Sequence, residues 1–236
     1  MRPARAMVFA AGLGTRMRPL TNDRPKALVE VAGKTLVDWG LERLAAAGVE
    51  TAVVNVHHFP ERLEAHLAAR GDPPRIIISD ERDVLLETGG GLVRALPKLG
   101  GDPVFTLNAD TIWREDGPSA LGALADAFDP GRMDAILLLA PRTGSVGYHG
   151  AGDFTRSDDG RLARRGDAAT APWVYAGAQV IHPRIMAGLP EERFSLNRVW
   201  DGLLAQGRLF GLPLDGLWLH VGDPAARDEA EAALLA

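Results

Sequence analysis

Apolar and polar positions along this chain repeat with two periods, and the switches between them set out a run of strands and helices. Met7, Val8 and Phe9 form a short apolar run that reads as a first strand. Residues 35–47 (TLVDWGLERLAAA) carry apolar side chains at helical spacing and stop at Gly48, a residue suited to a helix C-terminus. Residues 51–56 read as a buried strand, 60–69 as a short helix opening on Pro60, and 75–79 as another strand. A helix start follows at 89–96, then a strand at 104–107, a helix at 119–128 and a strand at 135–139. Repeated strand–helix units of this kind predict an α/β fold, Rossmann-like, with a mainly parallel central sheet and helices on both faces. After residue 141 the pattern changes. Gly, Asp and Arg cluster over 144–165 with little period, a strand resumes at 173–182, and helices follow near 196–206 and 224–235. This second region predicts a small β-rich lobe walling one side of a pocket, within one continuous domain spanning 1–236.

Composition narrows the classes. With 236 residues, 46% of them hydrophobic, the chain is long enough for one well-packed core. A net charge of −5 argues against a nucleic-acid partner, so any basic site must be local. The absence of cysteine removes disulfides, cysteine–zinc sites and thiol catalysis, and it suits a cytoplasmic protein. The apolar run near the N-terminus is only about six residues, too short for a signal-peptide core or a membrane span, so no membrane partner is expected.

The local basic site is the stretch after the first strand. Ala10, Ala11, Gly12, Leu13 and Gly14 form a small-residue loop, and Arg16, Arg18, Arg24 and Lys26 follow at once. Glycines let backbone N–H groups approach a ligand, and successive N–H groups in such a turn make an anion-binding concavity. Side-chain cations beside it suit a ligand with several negative charges. A plain strand–glycine–helix turn is the simpler alternative. A dinucleotide fingerprint is disfavoured because Met17 stands where its third glycine belongs, and no P-loop pattern occurs here.

Two further pieces belong with the loop. The apolar run beginning at Val104 ends in Asn108 and Asp110, at a strand end where ligands of open α/β sheets bind. A carboxylate beside a triphosphate suits a shared Mg²⁺, although Asx residues also serve simply to cap turns. Glu87, Thr88, Gly89, Gly90 and Gly91 stand at a helix entrance, where bare backbone would admit a flat base or ribose; a flexible turn is the alternative.

Together these residues resemble the sugar-1-phosphate nucleotidyltransferases. The family motif A-A-G-x-G-T-R-x-x-P-L-T…P-K is matched by Ala10, Ala11, Gly12, Gly14, Thr15, Arg16, Pro19, Leu20, Thr21, Pro25 and Lys26. Gly33, the strand ending in Asn108 and Asp110, and Trp218 to Gly222 match in the same order. Glu87 to Gly91 and the segment around Asp153 are most similar to the N-acetylmuramate-1-phosphate uridylyltransferase branch. The resemblance implies UTP and a sugar-1-phosphate as substrates, Mg²⁺ as cofactor, and a UDP-sugar and pyrophosphate as products, in cell-wall sugar recycling. It implies that Arg16 and Lys26 are catalytic. Nucleotide contacts would come from Ala10, Ala11, Gly12, Gly14, Thr15, Glu87, Thr88, Gly89, Gly90 and Asn108. Residues 1–140 would then be the nucleotide-binding part, with 141–236 the sugar-phosphate part and C-terminal helix, in a monomer or weak homo-oligomer. A mannose-1-phosphate guanylyltransferase, or another hexose-1-phosphate enzyme, is the alternative within the family; a non-catalytic nucleotide sensor is the alternative outside it.

One position departs from the family. Its second metal-binding aspartate is replaced by His220, which leaves Asp110 as one ligand and three alternatives for the rest: His220 coordinates, Asp223 supplies a carboxylate, or Asp110 and water do most of the work. Magnesium prefers oxygen ligands to imidazole. On the acceptor side Asp153, Tyr148 and Asn197 are the sugar-binding candidates. Arg142, Arg156 and Arg198 are candidates for meeting a sugar carboxylate, and Trp173 and Trp200 for stacking on a sugar ring.

Overall fold

The computed structural model describes residues 2–236. The first half runs β1 (Arg5–Phe9), β2 (Glu30–Val31), β3 (Lys34–Thr35), α1 (Leu36–Ala46), β4 (Thr51–Val56), α2 (Pro60–Ala68), β5 (Arg75–Asp80), α3 (Glu87–Leu99) and β6 (Val104–Asn108). It continues with β7 (Thr111–Glu115), α4 (Ala120–Ala127), β8 (Ala135–Pro141), β9 (Phe154–Arg156), β10 (Leu162–Arg164) and β11 (Trp173–Ile181). The chain ends with α5 (Asn197–Ala205), β12 (Leu209–Pro213), β13 (Gly216–His220) and α6 (Pro224–Leu235).

Nine strands make one sheet whose parallel centre is β6-β1-β4-β5. β11 joins the outer side of β6 antiparallel, β8 pairs antiparallel with β11, and β12 lies parallel to β8. The β9–β10 hairpin hangs from the start of β11 through Trp173 and Phe154. The expected Rossmann-like α/β class is therefore the one observed, with the smaller antiparallel parts drawn largely from the second region.

Side chains alternate across the sheet as strand geometry requires. In β4, Ala52, Val54 and Val56 turn to one face and Val53 to the other; β8 sends Ile136, Leu138 and Ala140 one way and Ala135, Leu137 and Leu139 the other. The first face is covered by α1 (Val37, Leu41, Leu44), α2 (Leu63, Leu67) and α4 (Leu121, Leu124), the second by α3 (Leu92, Ala95, Leu99) and α5 (Val199, Leu203). Each such fully buried Leu or Val contributes about 1.5–3 kcal/mol relative to exposure. The helices start where capping chemistry allows. Thr35 accepts the Asp38 N–H at α1, Ser119 the Gly122 N–H at α4, and Asp223 the Ala226 N–H at α6.

Five strands lie outside the sequence expectation: the short pair β2 and β3, and β7, β12 and β13. β7 leaves the main sheet two residues after β6 and pairs antiparallel with β13, so that Thr111 stands opposite His220. A bulge between Tyr175 and Gln179 of β11 makes room for this departure. Gly177 sits there at φ 87°, and a Cβ on it would overlap Thr111 Oγ1. Met17, Val31, Leu36, Ile112, Leu219, Val221 and Ala230 form a third apolar cluster that joins β7–β13, β2–β3 and α6.

Candidate active site

The carboxyl ends of β1, β4 and β6 open on a cleft of about 350 Å³. Ala10, Ala11, Gly12, Lys26, Asn55, Glu87, Thr88, Asn108 and Asp110 line it, together with Leu85 and Ser195. It lies where ligands bind in open α/β sheets, outside the strand ends.

The loop after β1 is divided in its hydrogen bonding. Ala10 and Ala11 donate their N–H groups to Asn55 Oδ1 at 2.6 and 3.2 Å, so those two amides are spent within the protein. Among the described residues, the amides of Gly12, Leu13 and Gly14 have no partner. Gly12 is exposed, and a Cβ on it would have nothing within 4 Å. Gly14 takes φ 63°, and its carbonyl accepts the Thr21 hydroxyl at 2.8 Å. The amides of the loop left free for a ligand are thus those of 12–14, one step further along than the alanines.

The four cations of the stretch part company. Arg24 turns away and pairs with Asp23 at 3.0 Å on the surface. Arg16, next to Thr15 in a short 3₁₀ turn, and Arg18 are exposed, with no acidic partner among the described residues. Lys26 reaches into the cleft and donates to Asp110 Oδ2 at 2.6 Å; the two side chains are 13% and 35% exposed. Burial pushes the Asp110 carboxyl up, but the Lys26 charge and hydrogen bond, with a smaller contribution from His220, hold it below the ordinary carboxylate range. Asp110 is therefore charged at neutral pH.

His220 ends β13 facing the same region. Its ring lies against Tyr148 and Trp218, with centroids 5.8 and 5.3 Å away, and Gly222 leaves space for its Nε2. Burial lowers its pKa, and Lys26 and Arg16 lower it further against the pull of Asp110 and Asp223, which keeps the imidazole neutral at pH 7. Asp223 spends Oδ1 on the α6 N-cap, at 2.9 Å from the Ala226 N–H. No group of three or more His, Cys, Asp or Glu side chains able to hold a metal occurs among the described residues. The donor set that remains, one Asp110 oxygen with His220 nearby, suits a Mg²⁺ held mainly by ligand phosphates and water.

The α3 entrance corrects the reading of its glycines. Gly89 and Gly90 both donate N–H groups to the Phe194 carbonyl, at 2.8 and 3.3 Å. A Cβ on Gly90 would overlap the Glu192 carbonyl oxygen, and one on Gly89 the Phe194 ring. These two glycines make room for the protein's own segment 191–195, not for a base. Glu87 and Thr88 do line the cleft. Glu87 holds φ 58° and pairs with Arg193 at 2.8 Å, and Thr88 Oγ1 accepts the Leu196 N–H at 2.9 Å.

The acceptor-side candidates are largely occupied in holding the fold. Asp153 Oδ2 accepts the Tyr175 N–H at 2.9 Å and so pins the β9 edge to β11. Asn197 opens α5; its Oδ1 accepts from Arg164 at 2.8 Å and its Nδ2 donates to Ser195 Oγ at 3.0 Å. Trp200 is core, donating to Gln179 Oε1 at 3.1 Å. Arg156 bonds the Gly211 carbonyl and Arg198 pairs with Glu192. Tyr148 remains beside His220, with its hydroxyl accepting the Gly152 N–H at 3.1 Å. The Tyr175 hydroxyl is buried without a partner, and burial, then the Asp110 charge, push its pKa up.

Asn55 and Glu81 went unnoticed in the sequence. The available signal was a lone Asn in an otherwise apolar strand, TAVVNV, every residue of which is buried.

A cleft at the strand ends of such a sheet suits a nucleotide, and by its relatives the chain belongs to the family of sugar nucleotidyltransferases. The profile of the MobA-like NTP transferase domain matches residues 6–152. The chain is 56% identical to N-acetylmuramate alpha-1-phosphate uridylyltransferase of Caulobacter vibrioides, over 98% of this chain and 97% of that protein. It is 33% identical to the protein of the same name from Neisseria meningitidis, over 97% of each. Its fold superposes on UDP-glucose pyrophosphorylase complexed with UDP-glucose at a TM-score of 0.82 and 17% identity, covering 100% of this chain and 99% of that one. The inositol-1-phosphate CTP transferase from T. maritima superposes at 0.77 and 21%, covering 94% and 91%.

Proposed function

We propose that this enzyme transfers the uridylyl group of UTP to N-acetylmuramate-1-phosphate, giving UDP-N-acetylmuramate and pyrophosphate. The observation that carries the reading is the 56% identity to the Caulobacter protein, over 98% of this chain. UTP would lie with its phosphates over the unpaired amides of 12–14 and its nucleoside toward Leu85, Glu87 and Thr88. An oxygen of the sugar phosphate attacks the α-phosphorus. The bond from that phosphorus to the bridging oxygen breaks, and pyrophosphate leaves with the electron pair. The nucleophile is already an anion, so positioning and charge neutralisation carry the catalysis. Arg16 meets the leaving pyrophosphate, and Lys26, oriented by Asp110, meets the phosphates at the reacting centre. A Mg²⁺, when bound, would be held by Asp110 with His220 beside it and would neutralise phosphate charge. The reaction belongs in the cytoplasm, where UTP is made, and in the reuse of cell-wall sugars. Among the described residues no helix is long and apolar enough to cross a membrane.

The test is pyrophosphate release across the four ribonucleoside triphosphates and a panel of sugar-1-phosphates, with Mg²⁺ present. Release confined to UTP with N-acetylmuramate-1-phosphate is expected. Release with GTP and mannose-1-phosphate would replace this reading with a guanylyltransferase, and UTP binding without release would replace it with a sensor.

A further inference from the structure

Beneath the cleft lies a polar pair that the reaction itself does not use. Asn55 and Glu81 are 2% and 0% exposed, surrounded by apolar core. Asn55 Oδ1 accepts from the Ala10 and Ala11 amides, while its Nδ2 donates to Glu81 Oε1 at 2.7 Å. Glu81 Oε2 accepts the Leu86 N–H at 3.2 Å, at the entrance to α3. Its backbone carbonyl bonds His57 Nδ1 at 2.6 Å. Because Asn55 meets two N–H donors on one side and a carboxylate on the other, its amide can stand only one way round. Gly91 keeps the space open: a Cβ there would lie 2.7 Å from Glu81 Oε1 and 3.1 Å from Asn55 Nδ2.

A buried carboxylate with no cation in hydrogen-bond reach is expensive, and apolar side chains would fill the same volume at less cost. Burial pushes the Glu81 carboxyl up, and the Asn55 and Leu86 hydrogen bonds only partly offset this. What the pair supplies is a connection. One end holds the loop whose next three amides are unpaired, and the other holds the 85–88 wall of the same cleft.

We propose that Asn55 and Glu81 are a positioning pair that locks the phosphate-facing loop to the α3 entrance, so that both walls of the cleft are set for the triphosphate before it arrives. The inference rests on the cleft being the UTP site. Asn55 borders the cleft, but its amide is spent on the protein: it acts through Ala10 and Ala11, and Glu81 acts through Asn55 and Leu86. Fixing the first two amides leaves 12–14 aimed outward, which removes an ordering cost from binding.

A reversal of the pair tests it. Asn55→Asp alone sets carboxylate against carboxylate. Glu81→Gln alone leaves one N–H donor, from Asn55 or from Leu86, facing the new amide nitrogen. The double variant N55D/E81Q restores all four hydrogen bonds with the direction of the middle one inverted. UTP affinity by calorimetry, kcat and KM for UTP, and thermal midpoint are measured on all four proteins. Each single change should weaken UTP binding roughly tenfold, as loss of one buried hydrogen bond implies. The double variant should return to within about threefold of the parent. Single variants that fold and bind UTP as tightly as the parent overturn the proposal. So does a double variant that recovers the thermal midpoint without recovering UTP affinity, since that is the mark of mere packing. Should the variants not fold, hydrogen exchange on the unaltered protein decides. Inorganic tripolyphosphate should slow exchange at the Leu86 amide more than at Leu138 in β8, and equal change at both overturns the coupling. A parent that binds no UTP refutes the function above, while the tripolyphosphate experiment still judges the pair.

Discussion

Two glycines, Gly12 lining the cleft and Gly90 packed inside the protein beside it, should respond in opposite ways to the same substitution. Gly90 sits inside α3 with the Glu192 carbonyl oxygen where a Cβ would go, and that oxygen belongs to backbone and cannot swing aside. Gly90→Ala must push segment 191–195 away from the helix. The Phe194 carbonyl then loses the Gly89 and Gly90 amides, each bond worth about 1 kcal/mol. Overpacking adds roughly 1–3 kcal/mol, and the better helix propensity of alanine returns about 1 kcal/mol. The net loss is about 2–4 kcal/mol, a fall in thermal midpoint of roughly 5–15 °C for a chain of this size. Gly12→Ala meets nothing in the protein within 4 Å, so stability should change by less than about 0.5 kcal/mol. Its methyl instead enters the space assigned to phosphate and should weaken UTP binding tenfold or more, about 1.4 kcal/mol. Urea unfolding and UTP calorimetry on both variants read the two effects separately. A Gly90→Ala protein that unfolds with the parent yet binds UTP poorly would refute the assignment of that glycine to packing. A Gly12→Ala protein with unchanged affinity would remove phosphate from the loop.

The charged residues of the site give four more expectations. Lys26→Met should lower pyrophosphate release by roughly 10²–10³-fold, as loss of one transition-state donor does. It should also cost about 1 kcal/mol in urea unfolding, a modest figure because Asp110 is a third exposed. Arg16→Ala should show the same fall in rate with an unchanged unfolding midpoint, since the side chain is exposed and unpaired; near-normal turnover would take it off the catalytic list. Asp110→Asn should raise the Mg²⁺ concentration needed for half-maximal rate, and an unchanged metal titration would sink it as a ligand. His220 is held below the ordinary imidazole value of 6.5, so the unfolded chain takes up its proton first and stability should fall as pH drops through about 6.5. His220→Asn should flatten that fall between pH 7 and 5, read as urea midpoints, while His58 and His182, shifted the same way, leave a residual slope.

Most of the main sheet, β1, β4, β5, β6, β8 and β11, was legible because those strands are mainly apolar and the helices are apolar on one face, so period separates them. β7 (TIWRE) and β13 (GLWLH) were not, because each is five residues of mixed character that becomes a strand only by pairing with the other across about a hundred positions. That pairing places His220 beside Thr111, and no local pattern contains it. The run Gly89 to Gly91 announced a close approach correctly but could not say to what. The answers, Glu192 and Phe194 for the first two and Glu81 for the third, lie elsewhere in the chain. Arg24 looked like a phosphate ligand because sequence shows proximity and not direction; Asp23, its neighbour, takes it.

What the sequence displayed was the surface of the site, and what it concealed was the support. The loop 10–14 carries its chemistry in backbone amides, so small residues betray it. Its support is Asn55, a polar side chain buried in the mainly apolar β4, and Thr106 in β6 and Gln179 in β11 are buried in the same way. Each looks, in one dimension, like a tolerated exception. Thr106 accepts from Gln179 and Gln179 from Trp200, while Asn55 bonds Glu81 and the loop, so none of these exceptions is isolated. A satisfied buried network stabilises little beyond what apolar packing would give, but a broken one is costly, so it specifies a single arrangement. The two networks flank β1, the strand that ends in the loop: one lies in β4 on one side, the other in β6 and β11 on the other. On the proposed function, rigidity is thereby placed where the loop amides would meet phosphates, which is where transfer by positioning and charge neutralisation needs it.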